Sequence, residues 1–132
     1  MPKIREVDDL LATSKRAREL IKEVHPELCF WALNGRKPMR YRKKSAEGFE
    51  ERMNLLQKLL PEAKTVCDNA LTQYPRKHLA RDDIADALVA LATATAPLGV
   101  QLTVPANPEL DSRGRPMQMV YALTAGSAVG PY

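Results

Sequence analysis

Residues 81 to 88 read Arg81-Asp-Asp-Ile-Ala-Asp-Ala-Leu88 and open a helix predicted over about 82–96. Asp83 and Asp86 stand three residues apart, so their side chains reach the same point beside that helix. The flanking apolar positions predict a buried face made of Ile84, Ala87, Leu88, Leu91 and Ala92. Carboxylates at the edge of a core are the ligands that Mg²⁺ or Mn²⁺ prefers. The stretch therefore predicts a core helix whose first turn carries a candidate metal site.

The same acidic residues also have a purely structural interpretation. Asp82 precedes an apolar run, which is where an ordinary N-cap residue stands. Acidic side chains in a first turn interact favourably with the helix dipole. Taken alone, the stretch leaves metal binding and helix capping equally open.

Length and composition restrict the class of protein. The chain has 132 residues, of which 45% are hydrophobic and 27% charged, as in a soluble globular domain. No apolar run approaches the length of a membrane span, and the N-terminus is not a signal peptide. Cys29 and Cys67 are isolated, which indicates reduced thiols in a cytoplasmic protein and argues against zinc. We expect one domain over 1–123 and a flexible tail over 124–132.

A short segment concentrates the positive charge of the chain. Six of the nine residues from 36 to 44 are basic, and Pro38 and Tyr41 interrupt them, so the segment is predicted to be a loop. Such a cluster attracts phosphate backbones whatever the base sequence. The alternative is a solvated loop whose charge is balanced by the acidic residues that follow it. The basic residues are Arg36, Lys37, Arg40, Arg42, Lys43 and Lys44.

Hydrophobic periodicity predicts about four helices and a few short strands, an α/β composition. The helices are expected at about 3–20, 46–60, 62–73 and 82–96. The strands are expected at 21–25, 100–104 and 117–123, whereas 28–33 is either a helical turn or a strand. Strands so few and so far apart either pair with each other or need strands from elsewhere.

The most specific stretches of the chain are Glu23-Val-His-Pro-Glu27 and Phe30-Trp-Ala-Leu-Asn-Gly35, joined later by Met117-Gln-Met-Val-Tyr121. Taken in order, these and other stretches resemble one family: the predicted nucleases of RNase H-like fold, catalogued as a domain of unknown function. The segment from Asp83 to Leu88 also resembles the Asp-x-x-Asp-Ala-Leu of the last helix in RNase H-like junction resolvases. The resemblance covers nearly the whole chain and implies an RNase H-like fold represented by its later elements only.

The resemblance also implies a function and a set of site residues. It implies a nuclease that uses Mg²⁺ or Mn²⁺ to hydrolyse nucleic acid phosphodiesters. By matching order, Glu23 is the acid of the fourth strand, and Asp83 and Asp86 are the acids of the last helix. Glu27 competes with Glu23 for the strand position. The expected phosphate-binding residues are Arg36, Lys37, Arg40, Lys43, Lys44 and Arg52, although Arg52 is equally consistent with a surface ion pair.

One departure from the family pattern matters. The strands that open the pattern, with their Asp-Gly and Gly-Trp segments, have no counterpart here, so the resemblance implies a C-terminal portion of a truncated or split protein. That portion lacks the first-strand carboxylate. With Glu23, Asp83 and Asp86 alone, we expect one weakly bound ion and little or no activity from the isolated chain, so whether it is an enzyme stays open.

Two other functions and one assembly follow from the same sequence. The chain is alternatively a non-catalytic module that binds nucleic acid or a partner, or a metal-dependent hydrolase of small phosphorylated compounds. No membrane partner is expected. An exposed strand edge around 22–25 predicts a homodimer or a complementary chain that supplies strands.

Overall fold

The computed structural model describes residues 1–124, and this part of the chain has an α/β fold of six α-helices and a two-stranded antiparallel sheet. The helices are α1 (Pro2–Thr13), α2 (Lys15–Leu20), α3 (Pro26–Leu33), α4 (Ala46–Leu59), α5 (Ala63–Gln73) and α6 (Arg81–Thr95). The strands are β1 (Gln101–Val104) and β2 (Met119–Ala122), and a 3-10 turn, Leu98–Val100, leads into β1. The predicted flexible tail lies outside the described residues from position 125 onward.

The two strands predicted near the C-terminus are confirmed, and they pair with each other. Gln101 stands opposite Ala122, and Val104 stands opposite Met119. The Leu123 N–H donates to the Val100 carbonyl oxygen at 3.0 Å and so extends the pairing by one step. Within residues 1–124 the sheet has no third strand, so it contributes one packing surface and not the centre of the fold.

The strand predicted at 21–25 is wrong. This segment is extended, but in the described part of the chain one backbone hydrogen bond links it to the sheet, from the Val120 N–H to the Glu23 carbonyl oxygen at 2.8 Å. Pro26 begins α3 directly afterwards, since proline suits the first position of a helix, and the extended run stops there. The ambiguous residues 28–33 belong to α3. The predicted edge for strand addition around 22–25 is therefore not a strand edge in this structure.

The long helix predicted at 3–20 is divided in two at Ser14. The Ser14 hydroxyl accepts a hydrogen bond from the Ala17 N–H at 3.1 Å and caps α2. No residue of α1 is buried, and its apolar side chains Ile4, Val7 and Leu10 stay largely exposed. The predicted helices over 46–60, 62–73 and 82–96 are confirmed within one or two residues as α4, α5 and α6.

The core lies among α3, α4, α5, α6 and β2, with α6 in contact with each of the others. Phe30, Leu56 and Val89 are its largest fully buried residues, followed by Cys29 and Cys67. The predicted inner face of α6 is partly wrong. Ala87 and Leu91 are exposed, and Ala85 and Val89 are buried in their place, so the helix is rotated relative to the predicted face. No helix in residues 1–124 has the length and apolarity needed to cross a bilayer.

Candidate metal and phosphate site

Two carboxylates of α6 converge on one ammonium group. The Lys43 Nζ lies 2.5 Å from Asp86 Oδ2 and 3.8 Å from Asp82 Oδ2. Asp82 and Asp86 are one helical turn apart, and both side chains are 22% exposed, at the rim of the core. We call Asp82 and Asp86 the acid pair.

The structure brings Asp86 together with Asp82 and not with Asp83. Asp83 is exposed, and its Oδ2 accepts a hydrogen bond from the Ala80 N–H at 3.1 Å, so it satisfies a free donor at the start of α6. The N-cap position belongs to Ala80, so the expectation that Asp82 is the cap is wrong. Asp86 is brought together with Asp82 because the buried face of α6 is rotated, which carries Asp82 to the core edge and Asp83 away from it.

Glu27 stands beside the acid pair and is held by a buried arginine. The Arg52 side chain is 4% exposed and donates to Glu27 from Nε at 3.2 Å and from Nη2 at 2.7 Å. Its Nη1 donates to the carbonyl oxygens of Gly48 at 2.9 Å and Tyr41 at 3.3 Å. The guanidinium also lies over the ring of Phe30, 5.5 Å from its centroid. Arg52 is therefore a buried anchor for Glu27, and the alternative of a surface ion pair is wrong.

The charges around Lys43 define the electrostatics of the site. The hydrogen bond to Asp86 raises the pKa of the Lys43 ammonium, and the negative charges of Asp86, Asp82 and Glu27 raise it further. Three carboxylates thus act on one cation. Of the two competing acids in the histidine-proline motif, Glu27 is the one whose charge reaches this point.

Glu23 lies elsewhere. Its exposed side chain lines a cleft of about 980 Å³ between α1, the segment before α3 and the chain that leads into β2. The structure therefore does not bring Glu23 to the acid pair, and no group of three or more His, Cys, Asp or Glu side chains in residues 1–124 is arranged to hold a metal ion.

The acid pair supplies two carboxylates that could hold one divalent cation. Two hard oxygen ligands already point at a single positive charge, and Asp86 Oδ1 is buried with no hydrogen-bond partner in the described part of the chain. The Lys43 ammonium stands at the point where such an ion would bind. A cation must therefore displace Lys43, and the ligand set suits one ion and not two.

The basic loop over 36–44 is fixed against α4. The Glu51 carboxylate accepts hydrogen bonds from the N–H groups of Arg40 at 2.9 Å and Tyr41 at 3.1 Å. A Cβ atom at Gly48 would clash with the Arg42 carbonyl oxygen, so glycine is needed for this close approach. Glu51 thus holds the loop through its backbone, and the side chains of Lys37, Arg40 and Lys44 stay exposed at the surface.

The predicted phosphate-binding residues divide into two groups. Lys37, Arg40 and Lys44 are exposed on the loop, whereas Lys43 and Arg52 are paired with carboxylates, and Arg36 is half-buried. Sequence reasoning missed Arg76 and Arg81, which line a cleft of about 490 Å³ beside the acid pair together with Lys44. Both lie outside the basic run, although Arg81 directly precedes the acidic stretch and was a usable signal.

Comparison with known proteins gives a family without a described activity. A family model described as a protein of unknown function, DUF429, matches residues 1–110, which include the acid pair, Glu27, Arg52 and the basic loop. No curated protein and no solved structure matches the chain significantly.

Proposed function

The chain belongs to the DUF429 family, whose members are described as proteins of unknown function, and from this premise we propose a divalent-metal-dependent, nuclease-like domain. It hydrolyses nucleic acid phosphodiesters and is weak on its own. The observation that carries this proposal is the convergence of Asp82 and Asp86 on one ammonium group, beside a loop rich in exposed basic side chains.

The RNase H-like relationship is part of the same proposal. It is supported by the family phrases around Glu27 and Asp86, which lie far apart in the sequence and act on the same lysine in the fold. It is also supported by the position of α6, which packs against β2 and presents its acids at the core edge.

The residues of the site have separate roles in this proposal. Asp82 and Asp86 would hold Mg²⁺ or Mn²⁺, and Arg52 keeps Glu27 in place beside them. When bound, the ion would lower the pKa of a water and neutralise charge on the reacting phosphate. Until then Lys43 neutralises the two carboxylates, and the basic loop attracts the nucleic acid backbone. Glu23 and Asp83 stay predictions as ligands.

The ligand set explains why we expect weak activity. Two-metal cleavage of a phosphodiester needs carboxylates that hold both ions on either side of the scissile bond. Here one pair of carboxylates already shares a lysine, and binding of an ion must release that lysine into water. The small number of carboxylates and the competition from Lys43 both lower the occupancy of the site by metal ions.

Single-turnover cleavage tests the proposal. Labelled DNA and RNA oligonucleotides are incubated with excess protein and Mn²⁺ or Mg²⁺, and slow cleavage is expected that EDTA stops. Asp86→Asn removes a ligand and should abolish the cleavage. The matched control is Asp68→Asn, a helical surface aspartate paired with Lys64, which should cleave like the wild type. Equal cleavage by Asp86→Asn and the wild type, or cleavage in EDTA, would refute the role of the acid pair.

A second candidate is a non-catalytic module that binds nucleic acid or a partner. It is favoured by one observation: Lys43 and Arg52 already neutralise all three carboxylates, while the basic loop is held in a fixed conformation. Salt-dependent oligonucleotide binding without any cleavage, unchanged by EDTA, would select this candidate over hydrolysis.

A further inference from the structure

We propose that a cleft beside the acid pair binds consecutive phosphate groups of a nucleic acid strand. This cleft, here called the basic cleft, lies where the start of α4, the chain after α5 and the start of α6 meet. Its basic side chains are Lys43, Lys44, Arg76 and Arg81. The strand is a substrate only if the proposed function holds, whereas the binding itself does not depend on it.

The charge balance of the basic cleft favours an anion. Four cationic side chains line it against two carboxylates, Asp82 and Asp83. Asp82 already faces Lys43, and Asp83 accepts the Ala80 N–H. Lys44 and Arg76 form no ion pair with the described residues, so their charges are available to a ligand.

The geometry of one arginine points to phosphate as the anion. The Arg81 guanidinium lies over the ring of Phe49, 5.1 Å from its centroid. This contact holds the guanidinium against Phe49, and the N–H fork of an arginine suits two oxygens of one phosphate. Arg81 lines the same cleft as Asp82 and Lys43, so a phosphate held here would lie on the Asp82 side of the acid pair.

The size and lining of the basic cleft suit a strand. Its volume of about 490 Å³ is within the range of pockets that enclose small ligands, roughly 300 to 1,000 Å³. Phe49, Leu71 and Leu79 supply an apolar wall for sugar or base surface. The exposed loop cations Lys37 and Arg40 extend the positive surface beyond the cleft, which a linear polyanion can use and a free phosphate ion cannot.

Fluorescence anisotropy in EDTA with a labelled single-stranded oligonucleotide tests this proposal without metal chemistry. The double variant Lys44→Gln/Arg76→Gln changes two exposed side chains and should weaken binding on the order of tenfold. The salt dependence of log K should become less steep by about 1.4, because two contacts to single-stranded phosphates are lost. The control Arg16→Gln/Lys58→Gln removes the same charge from exposed positions outside the cleft and should bind within about twofold of the wild type.

The outcomes separate the cleft from the metal site and the strand from smaller ligands. Equal affinity of the two double variants would overturn the proposal, even if Mn²⁺ binding at the acid pair persisted. Displacement of the oligonucleotide by equal concentrations of a mononucleotide or inorganic phosphate would overturn the assignment to a strand. Arg81→Gln is the second variant, and it should reproduce the loss while keeping the circular dichroism spectrum of the wild type.

Discussion

The helical core and helix α1 share a sequence pattern but differ in burial. Both α1 and α4 carry apolar residues at helical spacing, but α4 buries Met53 and Leu56, and α1 buries none of its residues. Helix α1 contacts the chain before β2 through ion pairs: the Asp8 carboxylate lies 2.9 Å from the Arg113 guanidinium and 2.8 Å from that of Arg115. The difference teaches that periodicity predicts a helix and its apolar face, but not whether another element covers that face.

The largest effect is expected from the same substitution in the two regions. Leu56→Ala removes a side chain that is 0% exposed and should lower the free energy of unfolding by about 3 kcal/mol. Leu10→Ala removes a side chain that is 46% exposed and should lower it by less than about 1 kcal/mol. Urea unfolding followed by circular dichroism measures both. Equal losses would show that α1 packs as tightly as the core.

A smaller effect is expected when one carboxylate is removed from each region. Glu27→Gln leaves the buried Arg52 guanidinium without its counter-charge and should cost about 1 to 2 kcal/mol, a value reduced because Glu27 is 40% exposed. Asp8→Asn breaks ion pairs at the surface and should cost less than about 1 kcal/mol. Thermal unfolding of both variants at equal ionic strength compares them. A larger loss for Asp8→Asn would reverse the comparison.

The smallest effect is a difference in pH dependence. The hydrogen bond to Asp86 raises the pKa of Lys43, so the folded state holds that proton more tightly than the unfolded state. The stabilisation is complete below the ordinary pKa of 10.5 and is lost as the pH rises through the raised value. The difference in melting temperature between the wild type and Lys43→Met should therefore shrink only above about pH 10.5. A difference that already shrinks between pH 7 and 9 would contradict the pairing.

The chain before β2 should respond at the other end of the pH scale. Hydrogen bonds from the backbone N–H groups of Arg115 and Arg113 lower the pKa of the Asp111 carboxyl, and the Arg115 side chain lowers it further. The stabilisation is present above the ordinary value of 3.8 and is lost as the pH falls through the lowered value. The Lys43 contacts with Asp86 thus lose their stabilising effect in alkali, whereas the Asp111 contacts with Arg113 and Arg115 lose theirs in acid.

Much of the secondary structure could be predicted because its signals are local. The helix predicted at 46–60 is α4, whose start is capped by the Ser45 hydroxyl accepting the Gly48 N–H, and the residues of the two strands predicted near the C-terminus form β1 and β2. The strand at 21–25 could not be excluded, because a strand depends on a partner that the local sequence does not specify. The family resemblance is confirmed as membership of a family of unknown function, and nuclease activity stays a prediction.

The candidate site was predicted less well than the helices. The acidic helix and Lys43 belong to the sequence prediction, but the pairing of Asp82 with Asp86 depends on the rotation of α6 in the core. That rotation is set by packing of Ala85 and Val89 against neighbouring helices, which periodicity alone does not resolve. The burial of Arg52 likewise depends on contacts between distant segments.

The central claim is that Asp82 and Asp86 form a cation site that Lys43 neutralises with its own ammonium group. Calorimetric titration with Mn²⁺ tests it directly in the wild type, Lys43→Met and Lys43→Met/Asp86→Asn. We expect Lys43→Met to bind one ion on the order of tenfold more tightly than the wild type, since the competing charge is gone, and the added Asp86→Asn to abolish that binding. No gain in affinity for Lys43→Met, or equal binding by the double variant, would contradict the claim.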